Sequence, residues 1–260
     1  MNTQIKVSII TLCYNRESTI AQCIESVLAQ DYCDIEYIIV DGASTDNSLE
    51  VINRYKDRIT KIISEPDHGM YEALNKGIRI ATGDVVGMLH SDDFFLSNHV
   101  ISDYVQMFNT TDAALIYANG LFVDAEQTNL IIRNWLSGTY KKWKVRCGWL
   151  PLHPTVYIRR EVINRCGLYD ESYKIASDSD FLLRYLYEND LHVEYLNEYI
   201  LKMRMGGLST DSKRMSKMWD EDVRMFKAHH FFGVPEKILK MMWKIPQFIQ
   251  AKFMRKVLNG

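Results

Sequence analysis

A chain of 260 residues and 30.4 kDa exceeds the usual size of one hydrophobic core yet is short for two independent enzymatic units, so one α/β unit with an appendage is expected. Its 47% hydrophobic, 12% aromatic and 25% charged residues exclude a disordered tail, a collagen-like repeat and a disulfide-stapled miniprotein. The net charge of −2 excludes nucleic-acid binding driven by bulk charge, but it hides a division: residues 1–199 carry 18 basic and 28 acidic side chains, residues 200–260 carry 13 and 5.

Residues 6–14 form a β-branched run without helical period, and Ile20, Ile24, Val27 and Leu28 then recur at i, i+4, i+7 and i+8, which predicts a strand followed by an amphipathic helix. The unit repeats. Residues 35–40 are apolar, 41–47 carry turn and cap chemistry, and 48–55 suit a helix. Residues 59–63 read as a third strand, and Met70, Ala73, Leu74, Gly77, Ile78 and Ala81 form another apolar helical stripe. Residues 84–89 are a fourth strand, and Ser97 is placed to cap a helix carrying Val100, Ile101, Tyr104, Val105 and Phe108. This alternation predicts an α/β fold whose mostly parallel central sheet is covered by helices on both faces.

Beyond residue 113 the alternation weakens. Residues 114–117, 121–123 and 130–132 read as short strands, 134–149 as a loop, and 154–158 as a strand. A short helix over 160–166 is stopped by Gly167, and a clear helix spans 177–188. From Asp211 the pattern is helical almost to the end, interrupted by Gly233, Pro235 and Pro246.

Met1 to Lys6 has no charged-then-apolar leader, so a cytosolic protein is expected. No window reaches the run of about 18 apolar residues that a spanning helix needs. Cys13, Cys23, Cys33, Cys147 and Cys166 are never spaced C-x-x-C and read as buried free thiols.

In an open parallel sheet ligands bind at the carboxyl ends of the strands. Those ends are acidic here: Val40 is followed by Asp41, Ile63 by a stretch containing Glu65 and Asp67, and Leu89 by His90, Ser91, Asp92 and Asp93. Each acid alone serves equally as turn or cap chemistry. Together they need a cation or hydrogen-bond donors to offset their repulsion, and Mg²⁺ or Mn²⁺ with a diphosphate is the simplest partner. Neither G-x-G-x-x-G after the first strand nor G-x-x-x-x-G-K-[ST] is present, which argues against dehydrogenases and P-loop enzymes. On the helix over 177–188, Asp178 shares a face with Phe181, Leu182 and Tyr185, whereas Asp180 meets Arg184 at i+4. Asp178 is therefore expected to point inward, as a helix cap or a catalytic group, and Asp180 to be salt-bridged.

The pieces Ser8 to Glu17, Ile39 to Ser48, Glu65 to Gly77, Ala81 to Asp84, His90 to Asp93, His153 to Thr155 and Ala176 to Asp180 resemble, in order and spacing, family 2 glycosyltransferases of bacterial surface-polysaccharide assembly, with the GT-A fold. The segment 65–77 is most similar to colanic-acid-type transferases. The resemblance implies inverting transfer from a nucleotide diphosphate sugar, usually a UDP-sugar, to a saccharide or polyprenyl-linked acceptor. It places Thr11, Tyr14 and Glu17 near base and ribose, Asp41 at the uracil ring, and Asp67 and Lys76 along the nucleotide pocket. Asp92 falls towards ribose or phosphate, Asp93 on the metal, and Asp178 at the catalytic base. His90 stands where many members have Asp or Asn, which leaves the first arm of the metal motif open. His153 is a candidate acceptor or phosphate contact, or simply a His ending a loop beside a Pro. The expected division is a catalytic unit over 1–208, with a donor half (1–113) and an acceptor and base half (114–208), followed by a basic helical extension over 209–260.

Within that extension Lys237, Lys240 and Lys244 share one helical side and Ile238, Leu239, Met242 and Ile245 lie largely on another. Residues 236–258 therefore suit a peripheral contact with an anionic membrane at the inner face of the cell, or packing against the catalytic unit or a second subunit. On the membrane reading, loss of 236–260 leaves donor hydrolysis intact. Two rival functions share the strand-end chemistry. A sugar-nucleotide pyrophosphorylase needs a Gly/Arg-rich loop that residues 11–17 lack, and an inactive nucleotide-sugar-binding protein does not require both Asp93 and Asp178.

Overall fold

The structure, a computed structural model, describes residues 4–206 and 215–258. The boundary expected at 208/209 and the first residues of the C-terminal helical pattern lie outside the described residues.

Strands β1 (Val7–Cys13), β2 (Ile35–Asp41), β3 (Lys61–Ser64) and β4 (Val85–His90) alternate with helices α1 (Ile20–Leu28), α2 (Ser48–Asn53) and α3 (Met70–Ile80). They pair in parallel in the order β3-β2-β1-β4. Because successive side chains of a strand point to opposite faces, β1 sends Val7 and Ile9 into one core layer and Ile10 and Leu12 into the other. Helix α1 seals the first layer with Ile20, Cys23, Ile24 and Val27, spaced for one helical face, and α3 seals the second with Leu74 and Ile78. Within β4, Gly87 is required by packing: a Cβ there would overlap the Tyr157 ring, which lies tilted against Tyr104 with ring centroids 4.2 Å apart.

The sheet continues through β8 (Tyr157–Arg159), β6 (Leu115–Val123), β9 (Val193–Arg204) and β5 (Phe94–Phe95), with β7 (Ile131–Trp135) paired to β6. Here antiparallel ladders enter, although β6 and β9 are parallel. Around these strands lie α4 (Val100–Thr110), α5 (Lys142–Arg146), α6 (Arg160–Cys166) and α7 (Ser177–Leu183).

Several local expectations change. The short strands expected at 114–117 and 121–123 are one continuous strand, because the polar Asn119 between them is satisfied when buried: its Oδ1 accepts from the Ser137 N–H at 2.8 Å and the Tyr195 hydroxyl at 2.8 Å. The expected loop over 134–149 contains the end of β7 and α5, and 153–155 is a 3₁₀ turn rather than strand. His99, not Ser97, precedes α4; the Ser97 hydroxyl accepts from the His99 N–H at 3.3 Å. The expected helix over 177–188 widens into a π turn at Arg184–Glu188, where Arg184 donates to the carbonyls of Cys166 and Leu168. All five cysteines are free, but only Cys13 and Cys23 are buried and Cys33 is exposed.

The C-terminal helices α8 (Met215–Ala228), α9 (Val234–Met242) and α10 (Ile245–Leu258) reverse the orientation expected for a basic membrane face. Lys237 and Lys240 turn inward onto Asp222, which is 1% exposed, Lys240 at 2.7 Å. A buried carboxylate needs such counter-charges, so the lysines follow Asp222 rather than solvent. Outward face instead Ile238, Met241, Met242, Ile245, Phe248, Ile249 and Phe253. The extension packs on the rest of the chain. Trp243 Nε1 donates to the Cys147 carbonyl at 3.0 Å, and Arg133 of β7 bonds Gln247 at 2.6 Å. At Gly148, whose φ is +76°, a Cβ would meet the backbone of Glu236 and Lys240. None of the helices among the described residues is long and apolar enough to cross a membrane.

Candidate functional site

Parallel pairing sets Cys13 beside Asp41 and Leu12 beside His90, so the loops leaving β1, β2 and β4 gather at one edge. There Tyr14 is 58% exposed, its ring free to stack on a planar group. A Cβ at Gly42 would collide with the Asp67 carboxylate and touch the Tyr14 ring, so glycine is what lets Tyr14, Gly42 and Asp67 share one wall. Asp67 Oδ1 also accepts from the Gly69 N–H at 2.9 Å, which starts α3.

Four of the expected donor residues are engaged elsewhere. Thr11 is fully buried on the α1 side, its hydroxyl bonded to Tyr37 at 3.1 Å and near Cys23 Sγ; strand alternation turns it away from any ligand. Glu17 accepts from the Asn47 backbone and side-chain N–H groups, fixing the entry to α2. Lys76 braces the 65–72 segment through Glu65 (3.0 Å), Glu72 (3.1 Å) and the Pro66 carbonyl (3.0 Å). Asp41, at the expected strand end, is fully buried and holds the turn after β2 through Ser44 and Ser64. With three bonds accepted, its two carboxylate oxygens retain acceptor capacity for a further donor.

At the end of β4, Asp93 is 2% exposed and its Oδ2 has no hydrogen-bond partner among the described residues. Burial and the neighbouring Asp92 hold its carboxyl pKa well above the usual carboxylate range. An orphaned, enclosed oxygen of this kind fits a hard divalent cation, which would also restore its charge. Among the described residues no group of three or more His, Cys, Asp or Glu side chains could hold a metal, and Asp93 is the carboxylate whose buried oxygen would be offered to one. Asp92 is half-buried, 3.7 Å from Arg16 Nε, and its carbonyl accepts from Arg204. Burial lowers the pKa of His90 despite the charges of Asp92 and Asp178, leaving a neutral ring in the first position of the motif.

Asp178 lies in the first turn of α7. Its Oδ1 accepts from the Ser179 N–H at 2.7 Å and the Ser179 hydroxyl at 3.2 Å, while Oδ2 has no hydrogen-bond partner among the described residues. The expected burial is reversed: Asp178 is half-buried, and Asp180 is the enclosed acid, 5% exposed, because Arg184 (2.9 Å) and His229 (2.8 Å) come to it. Its expected salt bridge to Arg184 is present. Beneath Asp178 runs an aromatic column in which Tyr169 stacks on Phe181 at 4.1 Å and Phe181 on Tyr185 at 4.0 Å. His153 joins it edge-on, its Nε2 bonded to the Tyr169 hydroxyl at 2.6 Å. Burial drives the His153 pKa down to about 4, so it is neutral and offers no charge to a phosphate. The charge of Asp178 acts to raise the pKa of both His90 and His153 against the larger effect of burial.

Sequence reasoning overlooked residues that act through contacts between distant segments. Arg16, in the loop after β1, and Arg204, at the end of β9, flank Asp92. Glu221 of α8 accepts from the backbone N–H groups of Lys174, Ile175 and Ala176 at 2.7–3.1 Å, just before α7. One acid of the run Asp220, Glu221 and Asp222 carries no sequence signal that singles it out for that role.

The model of glycosyl transferase family 2 matches residues 8–163. An uncharacterized glycosyltransferase of Methanocaldococcus jannaschii is 26% identical over 86% of this chain and 79% of its own length. A PGL/p-HBAD biosynthesis glycosyltransferase of Mycobacterium bovis is 26% identical over 78% of each chain. Among solved structures, S. aureus TarS 1-349 in complex with UDP-GlcNAc superposes with a TM-score of 0.67 at 17% identity, covering 85% of this chain and 65% of that one. A mannosyltransferase of Pyrobaculum calidifontis in complex with GDP-Man and Mn²⁺ gives 0.68 at 16% identity, over 96% and 74%. The fold is that of the GT-A glycosyltransferases.

Proposed function

Because the chain belongs to glycosyl transferase family 2, we propose that it moves a sugar, with inversion, from a nucleoside diphosphate sugar to a hydroxyl of a saccharide or lipid-linked saccharide during cell-surface polysaccharide assembly. The observations that carry this reading are the half-buried Asp178 carboxylate, of which one oxygen has no partner among the described residues, and the buried Asp93, whose Oδ2 likewise has none among them.

In a single displacement one base suffices. Asp178 Oδ2 takes the proton of the acceptor hydroxyl as its oxygen attacks the anomeric carbon and the nucleoside diphosphate leaves from the opposite face. Tyr14 stacks on the base, and Asp67 and Asp92 line the path from base to phosphate. Asp93 is the residue that would hold Mg²⁺ or Mn²⁺, whose chemistry is to neutralise charge on the departing diphosphate. UDP is the favoured nucleotide, and relatives solved with UDP-GlcNAc and with GDP-Man make both sugars worth assaying.

The test measures nucleoside diphosphate release across UDP-, GDP- and dTDP-sugars, with and without Mg²⁺ or Mn²⁺. Metal-dependent release from one class is expected. Formation of a nucleoside triphosphate from added pyrophosphate points instead to a pyrophosphorylase, and tight donor binding without release in the presence of acceptors points to an inactive binder.

A second reading concerns the outward face of α9 and α10. Met242 is 55% exposed, Ile245 56% and Phe253 66%, an apolar strip from which Lys237 and Lys240 turn inward while Lys252 stays exposed beside Phe253. Its occupant on this reading is the inner leaflet of the cell membrane, reached by apolar insertion rather than by basic attraction. Flotation with neutral phosphatidylcholine vesicles is then expected to capture the protein about as well as anionic vesicles do. Strict dependence on anionic lipid defeats the reading, as does a stable dimer that ignores vesicles.

A further inference from the structure

Helices α8 and α9 grip the segment carrying Asp178 at successive points. Arg224 donates to the Ser172 carbonyl at 3.0 Å and lies 4.1 Å over the Tyr173 ring. Glu221 gathers the three amides before α7, and His229 bonds Asp180. Between them, Lys240 Nζ donates to Asp222 Oδ1 at 2.7 Å and to Ser179 Oγ at 2.7 Å. All these grips come from outside the matched family segment, which ends at residue 163.

The Lys240 contact has a directional consequence. An ammonium group only donates, so it occupies a lone pair of the Ser179 oxygen and leaves that hydroxyl's proton to point elsewhere. It points to Asp178 Oδ1 at 3.2 Å. Asp222, 1% exposed and held also by Lys237, fixes the lysine in turn. One oxygen of Asp178 is thereby pinned by Ser179, while the other has no hydrogen-bond partner among the described residues.

We propose that Lys240 is a positioning residue: through Ser179 it fixes the orientation of the Asp178 carboxylate for proton abstraction, so that the C-terminal extension completes the active site. The proposal rests on Asp178 being the base. It also replaces the expectation that loss of residues 236–260 leaves donor turnover intact, since that deletion removes Lys240.

The test compares Lys240→Met, Lys240→Arg, Ser179→Ala and Asp178→Asn in the full chain, with UDP-GlcNAc and GDP-mannose as donor probes. For Lys240→Met, kcat is expected to fall about 10- to 100-fold with donor KM little changed, because a misplaced base costs rate rather than ground-state binding. Lys240→Arg restores most of the loss. Ser179→Ala keeps the Lys240–Asp222 ion pair and so decides the matter should Lys240→Met fail to fold. Parental kcat in Ser179→Ala and Lys240→Met while Asp178→Asn is inactive overturns the positioning role. Full activity in Asp178→Asn overturns the base assignment instead.

Discussion

Replacing Asp178 with Asn is expected to lower sugar transfer by about 10²- to 10⁴-fold, the usual worth of a general base, while donor affinity stays near that of the parent. The amide has the volume of the carboxylate and its oxygen still accepts from the Ser179 N–H and hydroxyl, so α7 keeps its first turn. The aromatic column of Tyr169, Phe181 and Tyr185 below it is untouched. What the amide lacks is the capacity to take a proton. Steady-state transfer kinetics together with calorimetric donor binding separate the two effects: kcat falls and Kd does not. Parental transfer in this variant would remove the base from Asp178 and reopen the site to other acids at the strand ends.

Glu221→Ala is expected to cost about 3 kcal/mol or more of stability, since it leaves the N–H groups of Lys174, Ile175 and Ala176 without their acceptor beneath α8. For a chain of this size that corresponds to a fall in melting temperature of roughly 10 °C. Activity should fall further than stability explains, because the released loop leads directly into Asp178. Glu221→Gln, which keeps an acceptor but not the charge, should fall between the two. Thermal unfolding at fixed pH, with transfer rates taken well below the midpoint, makes the comparison. An unchanged melting temperature in the alanine variant would mean that water replaces the carboxylate and that α8 does not clamp the loop.

The βα alternation of the first half was legible because each element satisfies a local rule. Ile20, Ile24 and Val27 repeat with helical period, β1 and β2 are β-branched runs, and Gly167 stops α6 with a φ of +89°. The clustering of acids at the strand ends was equally readable, because parallel strands must end on one edge. By contrast β9, twelve residues long, left no such trace: only Ile200 and Leu201 are buried, and its pairing to β6 shifts register. Its position is dictated by β6, whose paired residues lie about eighty positions earlier in the chain (Asn119 pairs with Tyr199).

Sequence periodicity states which residues share a face and is silent about which face turns inward. That distinction governed the site. Thr11 lies on the right strand, yet alternation points it at Tyr37; Lys76 lies in the right segment, yet Glu65 and Glu72 hold it. The same holds for Lys237 and Lys240, whose common helical side was plain in the sequence. The chain's composition and local spacing determined an α/β core with acidic strand ends and an amphipathic basic C-terminus. Only the tertiary structure decided that the lysines face inward, because their partner, Asp222, is a buried charge on another helix, and a buried charge draws its counter-ions to it wherever local periodicity would place them.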